Sequence, residues 1–215
     1  MNSSASEAKA EAIATLQSEA LTERYITENN LLPILYRRKW DAAAQAWKTN
    51  DPDERPTLWK ANQYFDKHVR TVELNGKTGL ITMTITWKDP KLAAQWANDL
   101  VKLTNQYMRD KAIREAERNI AYLQEQASKD NVVELRAAIY QLMESETKKE
   151  MLAKGSDEYG LKVIDPATVP EKMSYPQRAL WISAGAALGL VIGTVVAVLR
   201  HLLRTAAPAP PNRRA

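Results

Sequence analysis

The strongest constraint on this chain is an uncharged apolar run near its C-terminus, at residues 179–199. A helix rises about 1.5 Å per residue, so the run would span roughly 30 Å, the thickness of a bilayer's hydrocarbon core. Arg178 and Arg200 bracket the run, and no charge lies between them. The sequence therefore predicts a transmembrane helix at residues 179–199. The alternative is a buried core helix, although such helices seldom stay this long without a polar face.

The charges beyond this run predict its orientation. The tail at residues 200–215 contains no acid, and its basic residues are Arg200, Arg204, Arg213 and Arg214. Segments rich in Lys and Arg tend to remain in the cytoplasm. We therefore expect a cytoplasmic tail, with residues 1–165 on the other side of the membrane. These arginines account for the net charge of +4, so the basic balance indicates topology and gives no support to nucleic-acid binding.

Composition and motifs argue against catalysis. The chain has no cysteine, which excludes disulfides, thiolate nucleophiles and Cys-based zinc sites. It contains no HExxH sequence, no glycine-rich phosphate loop and no Ser–His–Asp order. His68 and His201 are expected on opposite sides of the membrane, where they cannot form one site. We predict a protein that is not an enzyme and has no catalytic residues, cofactor or metal.

The N-terminal half alternates between helical and extended periodicity. Helices are predicted at residues 11–29, 40–47 and 57–68, the second and third separated by a polar loop at 50–56. Asn29 and Asn30 are expected to end the first helix, because Asn tolerates the left-handed conformation. From residue 69 to 87 the period changes to two around a turn at 75–79, which predicts a β-hairpin with a threonine face.

A long helical excursion is predicted between two strands. Asp89 and Pro90 are typical of a helix start, and the apolar stripe continues from there to about residue 127. Its first turns use Leu92, Trp96, Leu100, Leu103 and Tyr107. A second helix is expected from a capping box at Asn131 and Glu134 to about residue 152, and a short strand at 161–164.

The predicted fold class is α+β: a small membrane-proximal sheet with packed helices, a long protruding helical excursion at about residues 89–153, and one C-terminal transmembrane helix. Residues 166–178 form a proline-rich approach to the membrane.

Four stretches of the chain, in this order, resemble the Wzz-type polysaccharide chain length determinants, the polysaccharide co-polymerases of bacterial inner membranes. They are ENNLLP at 28–33 followed by KWD at 39–41, WKDPKLAAQWAN at 87–98, EAERNIAYL at 115–123, and VIDPATVPEK at 163–172. Family members carry two membrane spans, whereas this sequence shows only the second. We therefore expect the first span and the first periplasmic strand to be missing, which would leave the sheet with an unpaired edge.

The resemblance implies a non-catalytic inner-membrane regulator of chain length for lipopolysaccharide O-antigen or exopolysaccharide. Its implied partners are further copies of the chain in a homo-oligomer, the polysaccharide polymerase or export proteins, lipid-linked polysaccharide and the membrane. One alternative is a scaffold subunit of a capsule or exopolysaccharide export complex that works with a separate tyrosine kinase. Another is a C-terminally anchored coiled-coil protein unconnected with sugars.

Three groups of residues are candidates for function. The first is the proline-rich motif Pro166, Pro170 and Pro176, which is either a stiff linker or, as the resemblance implies, a segment that influences product length. The second is the pair of overlapping GxxxG patterns at Gly185, Gly189 and Gly193, which allow close helix packing in a membrane unless they are ordinary small-residue content. The third is a set of charges on the long helix, either solvated or at an oligomer interface: Arg109, Arg114, Glu117 and Arg118.

The tryptophans are assigned to the core, with sugar stacking as the alternative. This expectation covers Trp40, Trp47, Trp59, Trp87 and Trp96.

Overall fold

The computed structural model describes residues 2–129, 132–170, 183, 185–187, 189–190 and 192–194. The chain divides into two units, Met1–Val169 and Pro170–Ala215. The elements of the first unit are α1 (Asn2–Leu16), α2 (Glu19–Glu28), α3 (Leu32–Leu35), β1 (Trp40–Asp41), β2 (Ala46–Trp47), a 3-10 turn (Pro52–Glu54), α4 (Leu58–His68), β3 (Arg70–Leu74), β4 (Ile81–Ile85), α5 (Pro90–Lys129) and α6 (Val133–Lys154). These elements confirm a mixed, helix-rich fold with small antiparallel sheets and one long helix.

No helix in the described part of the chain combines the length and apolar character needed to cross a membrane. The span predicted at residues 179–199 lies mostly outside the described residues, and the tail at 200–215 lies entirely outside them. The transmembrane helix therefore stays a prediction.

The single helix predicted at residues 11–29 is wrong, because the helix is interrupted at Ser18. The Ser18 hydroxyl accepts a hydrogen bond from the Leu21 N–H at 3.2 Å and so caps α2. Ser favours this capping position over a helix interior, where its hydroxyl competes with the backbone for hydrogen bonds. The expected end of the helix is confirmed, since Asn29 is the C-cap and Asn30 has a φ of 48°.

The helix predicted at residues 40–47 is also wrong. Here β1 and β2 form a short antiparallel hairpin in which Trp40 lies opposite Trp47. Asp41 starts the turn, because its Oδ1 accepts hydrogen bonds from the N–H groups of Ala43 and Ala44 at 2.9 and 3.2 Å. The Ala44 and Ala43 N–H groups also hold the pKa of Asp41 below its usual value. The Asx turn and the cross-strand tryptophan pair outweigh the helix propensity of the alanines.

The predicted hairpin with a threonine face is confirmed by β3 and β4. Arg70 pairs with Ile85 at one end and Leu74 with Ile81 at the other. Along β4, Ile81, Met83 and Ile85 are half-buried and the two intervening threonines are exposed. Gly79 has a φ of +68°, a conformation that explains glycine at this point of the turn.

The core lies where α2, α4 and the sheet pack against the first turns of α5. Its buried members are Leu21, Tyr25, Ile26, Leu31, Leu35, Ala61, Phe65, Val69, Trp96, Leu100 and Leu103. Burial raises the pKa of Tyr25, and its hydroxyl donates to Asp99 Oδ2 at 3.3 Å. Tyr107 was expected on the buried stripe but is 40% exposed, whereas Met108 is buried. The buried face of α5 therefore lies one position further along at this turn.

Arg70 joins the N-terminal helices to the sheet. Its side chain is 1% exposed, and Nη1 donates to the Leu16 carbonyl at 2.5 Å and to Thr22 Oγ1 at 2.8 Å. Nη2 donates to the Gln17 carbonyl at 3.3 Å and to Asp66 Oδ1 at 2.8 Å. The guanidinium thus binds carbonyls at the C-terminal end of α1, where a helix presents unpaired acceptors and negative partial charge.

Replacement of Arg70 by methionine should destabilise the fold by about 3 kcal/mol, because the buried Leu16 carbonyl and the buried Thr22 hydroxyl lose their donor. Urea unfolding would measure the change. The matched control is Arg24→Met, which removes an exposed ion pair with Glu28 on α2 and should cost about 0.5 kcal/mol or less. Equal effects of the two substitutions would contradict the role assigned to Arg70.

Candidate interaction surfaces

The long excursion is an antiparallel pair of helices, α5 and α6. The inward positions on the second half of α5 are Ala116, Ile120, Leu123 and Ala127, and those on α6 are Ile139, Met143, Glu146, Glu150 and Ala153. Their spacing alternates between four and three residues, the heptad spacing of a coiled coil. The structure makes Val132 the N-cap of α6, with no side-chain cap hydrogen bond, so the capping box predicted at Asn131 and Glu134 stays a prediction. Asn131 lies outside the described residues.

The seam between α5 and α6 contains two carboxylates. The side chains of Glu146 and Glu150 are only 14% and 19% exposed. Lys149 pairs with Glu146 at 2.6 Å and lowers the pKa of that carboxyl, and Lys154 pairs with Glu150. Partly buried ion pairs lose hydration that their attraction barely repays. The two helices therefore hold each other less tightly than a leucine-rich seam would.

The surface of α6 outside the seam is rich in exposed apolar residues. They are Val133, Leu135, Tyr140, Leu142, Met151 and Leu152, with Val133 and Leu152 at least 70% exposed. Leu135, Leu142 and Lys149 follow one another at intervals of seven, so part of this face has a heptad spacing of its own. Near the tip of the pair, Leu123, Leu135 and Ile139 line an open depression. We call the exposed apolar residues of α6 outside the seam the outer face of α6. Apolar patches of this kind mark sites of association.

The charges proposed from the sequence as an oligomer interface divide into two groups. Arg109 Nη1 pairs with Asp157 Oδ1 at 2.9 Å, and Glu117 Oε1 lies 3.7 Å from Lys154 Nζ. These two side chains are thus engaged within the chain. Arg114 and Arg118 are exposed, one helical turn apart, and make no ion pair within the residues that the structure describes.

The strand predicted at residues 161–164 is wrong, because this segment is fastened to α5 by an asparagine. Asn105 Oδ1 accepts from the N–H groups of Gly160 and Leu161 at 2.9 and 2.7 Å. Asn105 Nδ2 donates to the Leu161 carbonyl at 2.8 Å. A carboxamide carries a carbonyl oxygen and N–H donors side by side, as a backbone peptide carries both groups, and here it takes the place of a neighbouring strand.

A second asparagine repeats this arrangement two helical turns earlier. Asn98 Oδ1 accepts from the Ala167 N–H at 3.0 Å, and Nδ2 donates to the Ala167 carbonyl at 2.9 Å. Gly160 allows the close approach at the other end, because a Cβ there would overlap Met108 Sδ. We call residues 160–167, held by Asn98 and Asn105, the tethered segment. It brings the chain from the C-terminal end of α6 back to the first turns of α5.

Sequence reasoning missed both asparagines. Asn105 is 3% exposed, and Asn98 precedes it by seven residues on the same helix. Asn98 is exposed and neither asparagine belongs to the predicted apolar stripe, so the available signal was only the same residue type repeated after two turns. The segment that they bind lies more than fifty residues away in the sequence, and helical periodicity carries no information about so distant a partner.

The remaining candidates from the sequence are the prolines and the glycines near the C-terminus. Pro166 and Pro170 are exposed, and Pro176 lies outside the described residues. Gly185, Gly189 and Gly193 are helical, and among the described residues no atom outside their own stretch of helix lies within 4 Å of the position where a Cβ would be. Their backbone thus has open space on one side, as close packing of a second helix would require.

The expectation that the tryptophans belong to the core is only partly correct. Trp96 is buried in the core and Trp87 packs against it with ring centroids 5.1 Å apart. Trp59 is 55% exposed. Trp40 and Trp47 are half-buried and lie outside the core cluster. Among the described residues, no group of three His, Asp or Glu side chains is placed to hold a metal ion.

A family model matches part of the chain. Residues 126–202 are similar to GNVR, described as a "G-rich domain on putative tyrosine kinase". The match includes the end of α5, all of α6 and the tethered segment. No curated protein sequence gives a significant match to the chain.

Substitution of Asn105 by alanine should release the tethered segment from α5. Three hydrogen bonds are lost, so we expect about 2 kcal/mol less protection of the Gly160 and Leu161 amides, or roughly thirtyfold faster exchange. Amide hydrogen exchange would measure this. The matched control is Asn119→Ala, which removes one exposed bond to Glu146 and should leave both exchange rates unchanged. Unchanged protection in Asn105→Ala would contradict the tether.

Proposed function

We propose that this protein is a non-catalytic inner-membrane scaffold that regulates polysaccharide chain length. In this proposal several copies associate through their long helices on the periplasmic side. The assembly contacts the polymerase or the lipid-linked polymer and changes the balance between another round of extension and release. The polymer is lipopolysaccharide O-antigen or exopolysaccharide, and no residue performs covalent chemistry.

The observation that supports the proposal most strongly is the exposure of apolar side chains on the outer face of α6. A helix pair whose seam contains carboxylates and alanines gains little free energy from its own packing. Exposed Tyr140, Leu142 and Leu152 would leave water if a neighbouring copy covered them, and burial of such side chains is worth about 1.5 kcal/mol or more each. Covering this face therefore favours association of copies over a lone hairpin.

Two further features support a role in polysaccharide assembly. The similarity to GNVR covers α6 and continues to residue 202, and the four stretches that resemble the chain length determinants extend it to residues 28–123. The tethered segment also joins the hairpin to the chain that leads toward residues 179–199. A change of packing at the helices would therefore be transmitted to the proline-rich approach.

The description of the matched domain favours one alternative. GNVR is named for its occurrence on a tyrosine kinase, and the present sequence contains no GxxxxGK[ST] loop. Under this alternative the protein is a scaffold subunit of a capsule or exopolysaccharide export complex, and a separate tyrosine kinase is its partner. Co-purification with an export channel would favour this reading, and co-purification with a polymerase would favour length control.

The direct test is the length distribution of surface polysaccharide on a gel. We expect deletion of the gene to abolish the modal band, and re-expression of the gene to restore it. The polysaccharide should still be made, because the protein is proposed to regulate polymerisation and not to catalyse it. An unchanged distribution in the deletion strain would reject length control, and loss of all polysaccharide would favour the export alternative.

Leu142→Glu should weaken assembly, because it places a charge on the outer face of α6. We expect a smaller oligomer by light scattering of the detergent-solubilised protein and a shifted modal band. Gln63→Glu is the matched control, since it adds the same charge at an exposed position of α4 and should change neither readout. If Leu142→Glu behaves like this control, the outer face of α6 is not the interface.

A further inference from the structure

The β1–β2 hairpin carries a group of cations beside a pair of tryptophans. We call residues 36–48 the cationic hairpin. Its basic residues are all exposed: Arg37, Arg38, Lys39 and Lys48. Asp41 is the only carboxylate within residues 36–48, and it is engaged by the backbone N–H groups of the turn. The segment therefore presents an excess of positive charge on a short and well-defined structure.

These cations make no close ion pair within the part of the chain that the structure describes. Lys48 adds to the effect of the Ala44 and Ala43 N–H groups in lowering the pKa of Asp41, and Lys39 Nζ donates to the backbone carbonyl of Glu54 at 3.3 Å, in a loop that also carries acidic side chains. Several cations on the long helices do pair, as Lys111–Glu11 at 2.6 Å and Lys148–Glu144 at 2.7 Å illustrate. Within the hairpin, Arg37 and Arg38 are therefore the cations most open to an external anion.

The two tryptophans form a fixed aromatic surface next to the cations. Their ring centroids are 4.9 Å apart and their planes meet at 75°, an edge-to-face pair. Each ring is half-buried, so each retains exposed surface. The Lys48 N–H donates to the Lys39 carbonyl at 3.0 Å, which holds the two ends of the hairpin together. Trp40 and Trp47 are therefore adjacent in sequence to cations and are rigidly placed.

We propose that the cationic hairpin binds an anionic saccharide, a glycan segment that carries carboxylate or phosphate groups. The guanidinium groups of Arg37 and Arg38 match the two oxygens of such anions. The tryptophan pair offers apolar ring surface to the C–H faces of the sugar. This inference rests on the proposed function, because it assigns contact with the polymer to named residues.

A lipid surface fits the hairpin less well. The tip of the hairpin consists of Ala42, Ala43, Ala44 and Gln45, all exposed. Segments that insert into a membrane interface present Trp, Phe or Leu at the inserted face. Here the tryptophans lie at the base of the hairpin, and the tip offers little apolar surface.

The test is isothermal titration of the full chain in detergent with oligogalacturonate, a carboxylated oligosaccharide. Neutral maltodextrin and dihexanoyl phosphatidylglycerol serve as the comparison ligands. We expect binding of oligogalacturonate that weakens with salt, no binding of maltodextrin, and at least about tenfold loss of affinity in Arg37→Glu/Arg38→Glu. The control Lys77→Glu/Lys88→Glu reverses two exposed charges outside the hairpin and should stay within about twofold of the unsubstituted protein.

The tryptophans are tested by a conservative pair of substitutions. Trp47→Ala should lose about tenfold in affinity, and Trp47→Phe should retain most of it, provided that circular dichroism shows both variants folded. If Trp47→Ala does not fold, the Arg37→Glu/Arg38→Glu variant is the deciding test, because both arginine side chains are exposed.

Three results would overturn the proposal: no binding of oligogalacturonate, equal binding by Arg37→Glu/Arg38→Glu, or binding of the phospholipid alone. The polysaccharide gel separates this failure from failure of the proposed function. A deletion strain with a changed length distribution that Arg37→Glu/Arg38→Glu fully restores would reject saccharide binding at the hairpin and retain length control. A deletion strain with an unchanged distribution would reject length control itself.

Discussion

The structure of the first unit depends on the packing of its other elements against one continuous helix, α5. This helix has 40 residues, which corresponds to about 60 Å. Its first turns supply Trp96, Leu100 and Leu103 to the core, and its second half supplies the seam for α6. Asn98 and Asn105 on the same helix fix the returning chain. A break in α5 would therefore separate the core from the excursion.

The two halves of α5 are stabilised in different ways, and this difference suggests where function resides. Near the base, large side chains such as Phe65 and Trp96 are fully buried, and Arg70 joins α1 and α2 to the sheet. Beyond residue 109 the seam consists of alanines, medium-sized residues and two glutamates, and α6 exposes apolar side chains. The base thus folds through its own contacts, whereas the excursion would gain most from a neighbour. We interpret the base as the support and the excursion as the part that associates.

Local signals in the sequence predicted much of this fold. Asp89 with Pro90, Thr57 and the alternation along β4 each determine structure through nearby atoms, and each prediction is confirmed. The errors arose where side chains act on the backbone. Ser18 interrupts a pattern that otherwise looks helical, and Asp41 converts an alanine-rich stretch into a turn. The tethered segment could not be predicted, because an asparagine amide in place of a β-strand leaves no periodic pattern in the sequence.

The measurement that tests the central claim most directly is site-specific photo-crosslinking in intact cells. A benzophenone amino acid would replace Leu142 on the outer face of α6, and in a parallel strain Lys67 on α4. The account predicts crosslinks between copies of this chain from position 142 and none from position 67. A position 142 that crosslinks only within its own chain or not at all would contradict association through α6, and with it the proposed scaffold.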